Sequence, residues 1–220
     1  MRDGRTDGSY NVGARLDAGA SLSGYQRNRL FLNQDGRNFV DISALAAADS
    51  PADGRAWARL DYDRDGRIDL VLANANEPLC QLYRNRAPAG RMLALRFVGG
   101  NDRAEPSARW SARDGYGAEV EVAVAGKTLL REHRAGEGFS AQNSATMIIG
   151  LGEYERADAV RVRWPSGRIQ TAENLAAGSL ITVYERIGQS PANKAFVTTP
   201  YSASRWTSSS GSSAATGQIH

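Results

Sequence analysis

The sequence predicts an all-β protein made of short, mostly antiparallel strands, and three observations lead there. Residues 118–126, Val160 to Trp164 and Leu180 to Tyr184 alternate apolar with polar side chains. That period of two marks strands with one buried and one wet face. Turn residues separate such runs, at Asp35-Gly36, Gly126-Lys127, Gly150-Leu151-Gly152 and Pro165-Ser166-Gly167. Helical periodicity is weak throughout, with one plausible short turn from Ile42 to Ala48.

In chain order, residues 1–26 are rich in Gly and Asp and read as loop. Residues 27–88 hold short strand-like runs. The first, Arg29 to Asn33, leads through Gln34-Asp35-Gly36-Arg37 into Asn38 to Ile42. Asp-Gly between apolar runs signals a hairpin, because a tight turn needs residues that tolerate positive φ. Leu30, Phe31 and Asn33 recur as Leu82, Tyr83 and Asn85, an offset of 52 residues. Such a period suggests β-propeller blades, each a four-stranded sheet. Residues 91–186 supply about seven further strands, enough for a small antiparallel β-sandwich or barrel-like domain. Residues 188–220 end in a Ser/Thr/Gly-rich run and predict a flexible tail.

Composition excludes several classes. A formal net charge of +3 over 220 residues, without basic runs or an aromatic-and-basic stripe, argues against nucleic acid as a partner. No apolar stretch approaches the ~18 residues of a membrane span. The single cysteine, Cys80, forbids an internal disulfide and reads as a half-buried strand residue. Residues 1–8 have no apolar core and form no signal peptide, so the natural beginning is expected to lie further upstream or the protein to be cytoplasmic.

The sharpest local signal is Asp61-Tyr62-Asp63-Arg64-Asp65-Gly66-Arg67-Ile68-Asp69, with carboxylates at positions 1, 3, 5 and 9. Calcium takes six to eight oxygens at roughly 2.3–2.6 Å, and alternate residues of a tight loop can aim theirs at one centre. Gly66 permits the sharp turn, and the Arg67 carbonyl offers one more oxygen. Like charges a few ångströms apart repel by about 1 kcal/mol per pair in water, so a cation would couple binding to local folding. Magnesium suits the set less well, since it keeps more of its waters. An EF-hand is excluded, because position 12 is Leu72 rather than Glu and the flanks read as strands.

Residues 27–86 resemble the FG-GAP/VCBS repeats of integrin-like β-propellers, on Asn28 to Asn33, the Asp61 to Asp69 loop with its following strand, and Leu82 to Asn85. That resemblance implies Ca2+ held by Asp61, Asp63, Asp65, the Arg67 carbonyl and Asp69. Asp3-Gly4-Arg5-Thr6-Asp7 looks like the end of a preceding loop of this kind, without its earlier carboxylates. About residues 113–186 resemble the ASPIC/UnbV domain, on Asp114 to Val120, Gly136 to Gln142, Ile149 to Gly152 and Val162 to Arg168. The order of the two resembles the C-terminal part of bacterial cartilage-acidic-protein-like proteins. It implies export to the extracellular space, cell surface or periplasm, and a structural, adhesion or protein-interaction role.

A closed propeller needs at least four blades, and about one and a half are present. The chain is therefore expected to be a piece of a longer protein or to complete a sheet on a protein partner. No enzyme site is recognisable. His133, in Arg131-Glu132-His133-Arg134, reads as solvated on a strand's wet face, Ser140 and Ser144 lack a nucleophile-elbow context, and nothing fixes the separation of Glu132 from Glu137. Two alternatives stand beside the non-enzymatic calcium-binding module. One is a carbohydrate-binding module with Trp164, Tyr116 and Phe139 stacking on a glycan. The other is an accessory role in enediyne-type secondary-metabolite biosynthesis, suggested by the UnbV name alone.

Overall fold

The computed structural model describes residues 20–34 and 36–201. The Asp3–Asp7 half-loop, Asp35 and the tail from 202 onward lie outside them. The chain is all-β, with no α-helix among the described residues.

Strands β1 (Phe31–Gln34) and β2 (Asn38–Asp41) form the expected hairpin, with Gln34 opposite Asn38. Its turn closes where Gly36 takes φ +71° and donates its N–H to Asn33 Oδ1 at 2.7 Å. The segment after it, Ser43 to Ala47, is a turn, with Ala46 N–H bonded to the Ile42 carbonyl at 2.8 Å. Next come β3 (Gly54–Leu60), β4 (Asp69–Asn74) and β5 (Cys80–Tyr83), an antiparallel sheet in the order β3-β4-β5. It has three strands, one fewer than a complete blade. Just before β3, buried Asp53 accepts bonds from the Ser21 hydroxyl (2.5 Å) and the Leu22 N–H (2.5 Å) and pins that loop to the sheet.

The rest is a two-sheet sandwich. β6 (Arg91–Val98), β7 (Glu119–Val124), β8 (Lys127–Glu132), β9 (Met147–Gly152), β10 (Arg156–Arg163), β11 (Ile169–Ala176) and β12 (Ser179–Tyr184) are the seven strands expected over 91–186. They are joined by β13 (Phe196–Pro200). The sheets run β11-β10-β7-β8 and β13-β12-β6-β9, and neither closes into a barrel. Alternation decides which side chains face inward. Val120, Val122, Val160 and Val162 from one sheet meet Leu93, Leu95, Ile149, Ile181 and Val183 from the other in one core.

Two features depart from expectation. β6 and β12 pair in parallel. The whole opposite sheet intervenes between them in sequence, and such long crossovers are what parallel pairs require. The predicted tail from 188 is structured as far as Tyr201. Phe196 to Pro200 add a strand to β12, and Tyr201 is buried.

β6 is buried on both faces. Leu93, Leu95 and Phe97 enter the sandwich core, while Met92 and Ala94 face outward and pack with Tyr201. The loop between β3 and β4 lies over that outer face. A Cβ on Gly66 would stand 3.2 Å from Met92 Cγ. The two parts also meet along β3, where Ser144 N–H donates to the Arg59 carbonyl (2.9 Å) and Arg59 N–H to Asn143 Oδ1 (2.8 Å).

Candidate metal centre

The acidic loop folds on itself through its own carboxylates. Asp61, just after β3, accepts the N–H of Asp65 at 3.1 Å and of Gly66 at 2.8 Å. Asp65 accepts the Arg67 N–H at 2.9 Å. These are the short-range side-chain bonds by which Asp stabilises turns in place of backbone pairing. The chain bends through Arg64 at φ +55° and Gly66 at φ +87°. Any side chain at Gly66 would meet both that strained backbone and Met92.

The bend brings Asp61, Asp63 and Asp65 together, with one oxygen of each within 4.8 Å of the others. Asp69, the first residue of β4, is fully buried and stands outside this trio. Its oxygens accept the N–H of Tyr62 (3.2 Å) and of Asn85 (2.8 Å), clamping the loop's start to the end of β5. Arg67 turns its guanidinium to Asp65 and donates Nε–H to the Asn85 carbonyl at 2.9 Å.

The mutual repulsion expected of the four carboxylates is offset in part, because two guanidiniums, Arg67 and Arg84, pair with Asp63 and Asp65. Arg84 places Nη2 at 2.6 Å from Asp63 Oδ2 and 3.7 Å from Asp65 Oδ2. Asp63 above all, then Tyr62 and Asp65, raise the Arg84 pKa against a smaller opposing effect of burial. Even so, Asp63 Oδ1 is buried without a hydrogen-bond partner. An orphaned carboxylate oxygen is costly unless something electropositive meets it. Three carboxylates brought this close, one of them with an unsatisfied oxygen, form a donor set that fits a divalent cation such as calcium or magnesium.

Tyr201 is the contact that sequence reasoning missed. Its hydroxyl donates to Asp61, and burial first, then that bond, push its pKa well above the usual tyrosine range. A tyrosine 140 residues away in sequence, inside a segment that reads as tail, carries no local signal of this role. Arg84 carried none either, since in the repeated segment Leu82 to Asn85 it stands at the one position that does not recur, aligned with Leu32.

Other candidates resolve differently. Cys80 is exposed on β5 rather than half-buried. His133 is buried rather than wet. It stacks on Tyr116 (centroids 4.6 Å apart) and Phe97 (4.7 Å), and its Nε2 lies 3.1 Å from the Asp114 carbonyl. Burial lowers its pKa, so the neutral ring is favoured. Trp164 belongs to the core and donates Nε1–H to Gln170 at 2.7 Å, which removes it from any glycan-stacking surface with exposed Phe139. Glu137 pairs with Arg59 and accepts from Asn143 at 2.5 Å, whereas Glu132 pairs with Arg134. They do not act as a carboxylate pair.

Fold and site define a β-sandwich with an acidic loop folded onto the outer face of one sheet. Comparison with known proteins agrees for the sandwich. Residues 109–190 match the family model described as ASPIC and UnbV, so the chain carries that domain. β6 and β13, which complete its second sheet, fall outside the matched range. The chain is also 41% identical over 66 residues to cartilage acidic protein 1 of Mus musculus, and 39% identical over 66 residues to that of Homo sapiens. These matches cover 30% of this chain and 10% of each relative's length.

Proposed function

We propose that this chain is a non-enzymatic, calcium-stabilised interaction module of the extracellular space, cell surface or periplasm, in which an FG-GAP/VCBS-like loop braces an ASPIC/UnbV domain. The observation that carries this is the convergence of Asp61, Asp63 and Asp65, one oxygen of each within 4.8 Å of the others, and Asp63 also carries a buried oxygen, Oδ1, without a hydrogen-bond partner. Calcium there would be held by those three carboxylates, with the Arg67 carbonyl and Asp69 as the further donors the loop offers. It would supply charge compensation and no chemistry. Asp61 passes the effect on, because its hydrogen bond to Tyr201 ties the loop to the sandwich.

Two further observations support an interaction role. The groups that sequence offered to catalysis are engaged elsewhere, His133 in a ring stack and Glu137 in an ion pair. The hairpin exposes apolar side chains on both faces, Phe31 and Phe39 on one and Leu32 and Val40 on the other, with Leu45 88% exposed in the turn that follows, surface of the kind a protein partner or the remainder of a propeller covers.

Titration calorimetry with calcium, paired with melting curves in calcium and in EDTA, tests the reading. Heat at a stoichiometry near one and a melting temperature that falls in EDTA are expected. No heat together with superimposable melts overturns it.

A further inference from the structure

Away from the acidic loop, three arginines gather on one indole. The Arg168 guanidinium carbon stands 4.0 Å from the ring centroid of Trp110, and those of Arg109 and Arg186 stand 6.0 Å from it. None of the three has a carboxylate at ion-pair distance among the described residues, and Arg168 Nε is buried without a hydrogen-bond partner. Sequence gave no warning of this, because the residues come from three separate segments.

The cluster is built on a rigid base. Directly beneath it, the buried carboxylate of Glu185 accepts the N–H groups of Gly100 (2.7 Å) and Ser111 (2.8 Å), the Ser111 hydroxyl (3.0 Å) and the Ser166 hydroxyl. Each of these anchors adjoins a cluster member. Ser111 follows Trp110, Ser166 lies two before Arg168, and Glu185 precedes Arg186. Gly100 lets the backbone lie against the indole, since a Cβ there would stand 2.5 Å from Trp110 Cε3. One buried carboxylate thus fixes the backbone beside Trp110 and the Ser166 hydroxyl near Arg168, and the three guanidiniums of the cluster exceed it in charge.

We infer that this surface binds a carboxylate-rich segment of a partner protein. Planar guanidiniums pair bidentately with carboxylates, and fixing them beforehand lowers the entropy lost on binding. The indole is already engaged by Gly100 and Arg168. It therefore offers no free platform for a nucleobase or a sugar ring to stack on, which disfavours nucleic acid and glycan. The site is separate from the acidic loop and stands whether or not that loop holds calcium.

The test is fluorescence anisotropy with a labelled oligoglutamate peptide, against oligoglutamine and heparin, at low and high salt. The full chain is expected to bind oligoglutamate in a salt-sensitive manner, in EDTA as well as in calcium, and not oligoglutamine. The double variant Arg109→Gln/Arg186→Gln, whose side chains make no hydrogen bonds in the fold, is expected to weaken binding roughly tenfold or more, with an unchanged melting temperature. Arg131→Gln, on β8, is expected to bind as the parent does. The proposal fails if the double variant binds equally well, if oligoglutamate does not bind, or if heparin binds while oligoglutamate does not. It also fails if the variant loses thermal stability but not binding, which assigns the arginines to balancing Glu185.

Discussion

Tyr201 donates its hydroxyl to Asp61, joining the residue after the last sandwich strand to the first carboxylate of the acidic loop. The bond lies beside Met92 and Gly66, where the loop meets the outer face of β6. A hydrogen bond to a charged group is worth about 1.5–3 kcal/mol. Tyr201→Phe keeps the ring and removes the donor, so it is expected to cost about that much stability and to weaken calcium binding several-fold. Chemical denaturation and calorimetry on the same variant check both. Unchanged calcium affinity would separate the loop from the sandwich energetically.

Asp63 bears most directly on the cation. Its Oδ2 is held by Arg84, while Oδ1 has no partner. Asp63→Asn keeps the shape and removes the charge. It is expected to abolish the rise in melting temperature that saturating calcium gives the parent, a stabilisation of about 2.7 kcal/mol at a hundredfold excess over Kd. Melting curves of parent and variant, each in calcium and in EDTA, read this out. A variant that still gains the full increment would place the cation elsewhere.

The structure was legible in the sequence wherever one local rule governed it. Val120, Val122, Val160 and Val162 announce a core by alternation alone, and Asp35-Gly36 announces its hairpin. The acidic trio was legible because turn geometry at Gly66 acts within a few residues. What escaped is non-local. His133 looks solvated because Arg131, Glu132 and Arg134 surround it, yet β8 ends at Glu132 and the His133 N–H pairs with the Ala118 carbonyl, turning the ring inward. β13 was hidden because Phe196-Val197 is too short an apolar run to stand out, and its edge position on β12 comes from tertiary pairing. The parallel register of β6 against β12 likewise has no signature in either strand.

Gly115 tests how tightly the sandwich closes at its end. It adopts φ +67°, and a Cβ there would lie 2.6 Å from Phe97 Cβ and 3.0 Å from Trp164 Cζ3. Both neighbours are core residues that cannot withdraw. Gly115→Ala combines backbone strain with overpacking and is expected to destabilise by about 2–4 kcal/mol. Gly126→Ala, at a similar φ of +74° but in open space, isolates the strain alone and is expected to cost about 1 kcal/mol. Denaturation midpoints for the two variants give the comparison, and equal losses would mean that the packing around Trp164 yields.

His133 sets an acid limit on this same region. Its ring lies between Tyr116 and Phe97, and Nε2 faces the Asp114 carbonyl, which only an N–H can satisfy. Burial lowers its pKa, against weaker opposing effects from the Asp114 carbonyl and carboxylate. The unfolded chain therefore takes up the proton more readily than the folded one. With an unfolded pKa of about 6.5, the contribution of neutral His133 is complete above that pH and is lost as the pH falls toward the lower folded value. One such group gives a slope of at most about 1.4 kcal/mol per pH unit. Asp41, Asp53 and Asp114 all have lowered pKa values and titrate below this window, so they do not mask it. His133→Gln, which cannot take up the proton, is expected to be less stable at neutral pH but to lose less on going from about pH 7 to 5. Urea unfolding of both proteins at each pH decides it, since parallel pH profiles would mean that His133 already titrates as in the open chain.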